Sequence, residues 1–86
     1  MKHTVVWTDA ALDELANLWN NAPDRQDVRD ASDLIDYILK TDPYSNSESR
    51  EGSLRIMFVP PLAVLFDVSD PDLLVTVRGV WRPVGM

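Results

Sequence analysis

The stretch LRIMFVPPLAVLFDVSDPDLLVTVRGVW (residues 54–81) decides the fold. It contains three runs rich in apolar, β-branched and aromatic residues, as is typical of β-strands. Pro60-Pro61 separates the first run from the second, and the turn-forming segment 69–72 separates the second from the third. Short connections of this kind join antiparallel neighbours, so the stretch predicts a three-stranded meander. The predicted strands span residues 54–59, 62–68 and 73–81.

Alternation along these strands predicts which side chains face a core, because successive strand residues point to opposite faces. The predicted core-facing residues are Ile56, Phe58, Val64, Phe66, Val75 and Val77. Arg55 and Arg78 have the opposite parity and are therefore predicted on the solvent side, where they could form a binding face with Arg82. The alternative is that these arginines are solvated strand residues that discourage edge pairing.

Residues upstream of the meander predict a strand and two helices. Thr4–Trp7 is short and β-branched, and Thr8 with Asp9 is a helix-start signal. The first helix is predicted to bury Leu12, Leu15, Ala16, Trp19 and Ala22. A second helix, from Pro23 to Lys40, is predicted to bury Val28, Ala31, Ile35, Ile38 and Leu39. Two such helices with a short connection predict an antiparallel hairpin. The polar segment 41–53 is predicted to be a loop.

The resulting expectation is one α+β domain over residues 1–86, ordered β-α-α-β-β-β. This layout resembles the RelE/ParE toxin superfamily. Four stretches carry the resemblance: VVWTDAALDEL (5–15), RIMF (55–58), LAVLFDV (62–68) and LVTVRGVWR (74–82). The likeness covers nearly the whole chain, and it is a pattern of hydrophobicity and element order.

The resemblance implies a toxin that is paired with a cognate antitoxin protein. RelE-like members cleave mRNA on the ribosome, whereas ParE-like members are described as inhibiting DNA gyrase. Cleavage needs cations that offset charge on the phosphate and a group that activates the ribose 2′-hydroxyl. RelE-like members supply these from an arginine of the middle strand, basic residues of the preceding strand, and an arginine with a tyrosine near the C-terminus.

This sequence departs from that pattern at several positions. Ala63 stands where the middle-strand arginine is expected, and no tyrosine follows Tyr44. No catalytic residue is therefore assigned. The candidate RNA- or partner-binding residues are Arg50, Arg55, Arg78, Arg82 and Trp81. Two interpretations stay open: a toxin-like protein that acts through protein binding or weakened RNase action, and a non-toxic interaction module that keeps the fold.

Charge and composition narrow the partner classes. The 86 residues carry a net charge of −6, which opposes binding to a polyanion. Without cysteine the chain has no disulfides or thiolate metal sites. No apolar run reaches the length of a membrane span, so we expect a cytoplasmic protein without membrane contact. A small-molecule enzyme has little support, because the sequence contains no nucleophile–base pair or phosphate-binding glycine loop.

The remaining polar and aromatic residues have structural interpretations. His3 is predicted to be a frayed surface residue, Tyr37 to pack, and Tyr44 to be exposed. The aspartates at positions 24, 27, 30, 33 and 36 spread around a helix, so they predict a solvated face and no metal or cofactor site. Within that face, Asp33 and Asp36 are candidates for contact with a basic partner.

Overall fold

The computed structural model describes residues 2–84, which form five strands and two helices. In chain order these are β1 (Thr4–Trp7), α1 (Asp9–Asn21), α2 (Arg25–Thr41), β2 (Ser47–Ser49), β3 (Leu54–Val59), β4 (Leu62–Ser69) and β5 (Leu74–Trp81). The predicted α+β class and element order are confirmed. Neither helix has the length and apolar character needed to cross a membrane.

The strands form one mixed sheet in the order β1-β5-β4-β3-β2. The predicted meander of β3, β4 and β5 is antiparallel throughout. The first strand, whose partner the sequence left open, runs parallel to β5, with Thr4 opposite Leu74 and Trp7 opposite Val77. Because the two helices carry the chain away from β1, β1 can lie beside the last strand without a tight turn.

Strand β2 corrects one prediction, since its residues were assigned to a loop. Ser47–Ser49 pairs antiparallel with β3, with Ser47 opposite Met57 and Ser49 opposite Arg55. Serine and glutamate have low strand propensity, so nothing in the composition of this segment indicates a strand. The pairing supplies partners for backbone groups along the outer edge of β3, which would otherwise be open.

Helix α1 starts as predicted, and its buried stripe is only in part the predicted one. The Thr8 side chain accepts a hydrogen bond from the Ala11 amide at 3.1 Å, which caps the helix. The side chains that pack against the sheet are Ala11, Leu15, Leu18 and Ala22. Leu15 and Ala22 pack there as predicted. Three residues that were predicted to be buried are exposed: Leu12 (48%), Trp19 (41%) and Ala16. Both stripes have helical spacing, and only the position of β5 beneath the helix selects between them.

Helix α2 buries its predicted face. Val28, Ala31, Ile35 and Leu39 are buried, and Ile38 packs at the margin of the core. The helix begins at Arg25, two residues later than predicted, with Asp24 as the capping residue. Tyr37 was predicted to pack, yet it is 65% exposed, because its position on the helix turns it away from the sheet.

The face assignment of β3 is the main error in the sequence-based core. Met57 and Val59 are buried against the helices, whereas Phe58 is 47% exposed on the other side of the sheet. Met57 lies opposite Val64 of β4, and Val64 is in the core as predicted. Since partners across strands share a face, Ile56 and Phe58 lie on the face turned away from both helices, here called the open face.

Candidate functional site

A row of three residues crosses the open face at one end of the sheet. Phe58 of β3 pairs with Ala63 of β4, and Ala63 pairs with Trp81 of β5. Phe58 and Trp81 are 47% and 37% exposed, whereas Ala63 between them is fully buried. We call these three residues the aromatic row. They present two partly exposed rings, one on each side of a small buried residue.

The apolar surface continues into the next row of the open face. Leu65 lies between Ile56 on β3 and Gly79 on β5, and both Leu65 and Ile56 are partly exposed. Isolated exposed apolar residues need no explanation, but a continuous apolar strip over three strands is characteristic of binding surfaces. The open face is therefore the candidate functional site.

A β-bulge places Arg78 at the margin of this strip. Leu65 pairs with Gly79 and Phe66 pairs with Val77, so Arg78 is the extra residue of β5. Its side chain is exposed, as predicted, and it forms an ion pair with the Asp67 carboxylate of β4. This pairing neutralises the cation locally and leaves little positive potential on the open face.

Arg55 was predicted on the solvent side of the sheet together with Arg78, but it does not lie on the open face. It has the parity of Met57, so it extends from the helix side of the sheet. Its Nε donates to the Ser47 hydroxyl at 2.7 Å, and its terminal nitrogen donates to the Ser47 carbonyl at 3.1 Å. The guanidinium also lies 5.0 Å from the centroid of the Tyr44 ring. These contacts attach β2 to β3, which gives Arg55 a structural role.

Arg82 lies just beyond β5 and is held by Asp24 at the start of α2. Two guanidinium nitrogens donate to the two carboxylate oxygens at 2.9 and 2.7 Å. The hydrogen bond from Arg82 lowers the pKa of Asp24, and the same bond raises the pKa of Arg82. A bidentate pair of this kind fixes the relative orientation of the two side chains and also pairs their charges. It connects the end of β5 to the connection between the helices.

Arg50 is the remaining candidate cation. It is exposed after β2, and within residues 2–84 its side chain has no hydrogen-bond or ion-pair partner. Of the four candidate arginines, three are therefore engaged by neighbouring side chains or backbone. One unengaged arginine at the edge of the sheet does not form a clamp for a phosphate, which needs several convergent donors.

The Tyr44 hydroxyl is also engaged, although its ring is 41% exposed, in line with the prediction that it is exposed. Tyr44 donates to Asp70 at 2.7 Å, and this bond raises the pKa of Tyr44 while it lowers the pKa of Asp70. His3 Nε2 lies 3.3 Å from the other Asp70 oxygen, and the His3 side chain is only 9% exposed. The prediction that His3 is frayed is therefore wrong. Through these contacts His3, Tyr44 and Asp70 connect the segment before β1, the α2–β2 loop and the β4–β5 turn.

Sequence reasoning proposed Trp81 as a candidate but did not propose Phe58, which lies on the other side of Ala63. Phe58 was assigned to the core because Arg55 was assumed to point to solvent, and β3 offers no other polar residue to fix its parity. The pairing of Met57 with Val64 is the signal that would have corrected the assignment. No arrangement of three or more acidic or histidine side chains suited to a metal ion occurs between residues 2 and 84.

Comparison with known proteins identifies the fold. No protein-family model and no curated protein sequence matches the chain. Among solved structures, the toxin–antitoxin complex RelBE2 from Mycobacterium tuberculosis matches with a TM-score of 0.80 at 15% identity, covering 96% of this chain and all of the matched chain. A chromosomal ParDE system from P. aeruginosa matches with a TM-score of 0.66 at 14% identity, covering 94% and 96%.

The isolated E. coli RelE toxin also matches, with a TM-score of 0.64 at 15% identity, covering 98% of this chain and 87% of that toxin. The similarity spans nearly every residue in each comparison. The chain therefore has the RelE/ParE-like toxin fold.

Proposed function

We propose that this chain is a divergent RelE/ParE-like member of a toxin–antitoxin module that acts by binding protein and does not cleave RNA. The observation that carries the proposal is the aromatic row. The resemblance expects an arginine of the middle strand at Ala63, and this position is a buried alanine between two partly exposed rings.

The chemistry of the open face supports protein recognition. Tryptophan and other aromatic side chains supply much of the energy at protein interfaces, because they remove a large apolar area from water with few torsions to fix. Arg78 is paired with Asp67, so the nearby charge is balanced. An apolar strip with a neutral polar margin suits a protein partner better than a phosphate backbone.

An antitoxin is the partner that the comparisons favour, since the matched RelBE2 structure is a toxin–antitoxin complex. The family resemblance offers the ribosome with its mRNA, or DNA gyrase, as the cellular target. Of these, mRNA is disfavoured by the net charge of −6 and by the engaged arginines. A protein target remains compatible with the open face.

A second function rests on the same observation. A non-toxic interaction module would keep the aromatic row for binding and would have no effect on growth. The two functions differ only in the cellular consequence of binding, so inducing the chain alone separates them. Growth arrest with soluble expression supports a toxin, and normal growth supports the interaction module.

The proposal is tested by purifying the chain with the protein encoded in the adjacent reading frame and by incubating it in a purified translation reaction. We expect a stable complex and intact mRNA. As a control, Arg78→Ala removes the cation on the margin of the open face and should leave the mRNA pattern unchanged. Site-specific mRNA cleavage that is lost in Arg78→Ala would contradict the proposal.

A further inference from the structure

A groove separates the N-terminal half of α2 from the turn between β3 and β4. It encloses about 370 Å³. Its apolar lining includes Ala31 and Leu34 from the helix and Val59 and Pro61 from the hairpin. Leu34 is 48% exposed, while Ala31 and Val59 are buried beneath it. The groove is thus deep enough to receive one or two aliphatic side chains.

Carboxylates line the helix side of this groove. Asp24, Asp27 and Asp30 recur at three-residue steps through the first turns of α2. Asp24 is neutralised by Arg82, but Asp30 accepts only from the neutral amide of Gln26, at 2.8 Å. Asp27 is exposed, and no cation within residues 2–84 pairs with it. The charge of Arg82 also acts on Asp27, so the three carboxylates and this one guanidinium together leave a net charge of −2 beside the apolar floor.

We infer that this groove binds a cationic amphipathic segment of a protein partner. An aliphatic side chain of the segment would pack over Leu34 and Val59, and lysine or arginine side chains would reach Asp27 and Asp30. Charge complementarity selects this occupant. A second copy of the chain carries the same net charge of −6 and is repelled, as is a nucleic acid.

The groove continues the surface assigned to protein binding. Phe58 of the aromatic row directly precedes Val59, and Trp81 directly precedes Arg82, which is bound to Asp24. A segment that crosses the aromatic row would therefore enter the groove around the hairpin turn. This inference rests on the proposed function, and it adds the chemical class of the partner, a basic segment with apolar anchors.

The test uses two synthetic helical peptides as probes. The first carries leucines on one face and lysines on the other, and the second replaces each lysine with glutamate. Affinity is measured at physiological salt, and backbone amide shifts locate the contact. We expect the lysine peptide to bind, with the largest shifts at Leu34 and Val59, and the glutamate peptide not to bind. Shifts scattered over α1 and β2 would overturn the inference.

Matched variants separate the groove from general acidity. Asp27→Asn with Asp30→Asn should weaken binding of the lysine peptide by about three- to tenfold, the sum of two exposed ion pairs. Glu48→Gln with Glu51→Gln removes the same charge at the opposite edge of the sheet and should change affinity less than about twofold. Equal weakening by both pairs would overturn the inference.

The proposed function and the inference about the groove can each fail without the other, and the binding experiments distinguish the two cases. If the adjacent-frame protein does not bind but the lysine peptide still occupies the groove, the inference holds and the toxin–antitoxin assignment is wrong. If the adjacent-frame protein binds and is insensitive to Asp27→Asn with Asp30→Asn, the assignment holds and the inference is wrong. Thermal unfolding of each variant shows that it is folded.

Discussion

The two faces of the sheet are both apolar, but only one of them is covered. On the helix side, Phe66 of β4 is fully buried in the hydrophobic core. On the open face, Phe58 and Trp81 are 47% and 37% exposed. The covered face accounts for folding, so the uncovered face needs another explanation. A protein partner supplies one, because its binding removes the same kind of surface from water.

Truncating Phe66, the aromatic residue that faces the helices, should have the largest effect on the free energy of unfolding. Phe66→Ala leaves a cavity in the core and should lower the free energy of unfolding by about 3–5 kcal/mol. Phe58→Ala removes a half-exposed ring and should cost about 1 kcal/mol. Urea unfolding of both variants measures the difference. Equal losses would mean that the two faces do not differ as described.

Truncating the aromatic row should affect binding more than stability. We expect Phe58→Ala with Trp81→Ala to weaken the complex with the adjacent-frame protein by about 30-fold or more, since roughly 1 kcal/mol from each ring already gives this factor and hot-spot residues contribute more. Tyr37→Ala is the matched control, because Tyr37 is exposed on α2 and outside the open face. Calorimetry gives both affinities. If Tyr37→Ala weakened binding to a similar extent, the open face would not be the binding surface.

Replacing Ala63, the residue between the two rings of the aromatic row, should disturb the packing of both rings. Ala63→Arg forces a long cation into a fully buried position between Phe58 and Trp81 and should cost about 1–3 kcal/mol. It should not produce mRNA cleavage, because three of the four candidate arginines are engaged by other groups. Unfolding and translation assays check the two statements. Cleavage by this variant would show that one arginine restores the chemistry.

Acid should weaken the hydrogen bonds of Asp70 and Asp24 at the margins of the sheet. This is the smallest of the predicted effects. Hydrogen bonds from Tyr44 and His3 lower the pKa of Asp70, and the bond from Arg82 lowers the pKa of Asp24. A lowered folded-state pKa adds stability above the unfolded value of 3.8, and this stability is lost as the pH falls through the folded-state value. Asp70→Asn should reduce the loss of stability below pH 3.8. An unchanged acid transition in that variant would contradict this account.

The order of elements and most of the core could be predicted from the sequence because local patterns determine them. The stripe of α2 and the alternation of Val64 and Phe66 in β4 each match one dominant period, and β5 follows its alternation only as far as the bulge at Arg78. The errors occurred where two patterns were equally good. In β3, every residue except Arg55 is apolar, so the strand face depended on one cation that the structure binds at Ser47.

The candidate site was harder to predict because it depends on contacts between distant segments. Trp81 was proposed from residue type alone, whereas the engagement of Arg82 by Asp24 joins positions 58 residues apart. The parallel pairing of β1 with β5 and the short strand β2 are likewise set by tertiary contacts.

The most direct test of the open face is the solvent accessibility of individual aromatic rings in the complex. A soluble paramagnetic agent broadens the NMR signals of exposed side chains, so the Phe58, Trp81 and Tyr37 rings can be compared with and without the adjacent-frame protein. The account predicts that binding protects Phe58 and Trp81 and leaves Tyr37 accessible. Phe58 and Trp81 rings that stay equally accessible in a formed complex would contradict it.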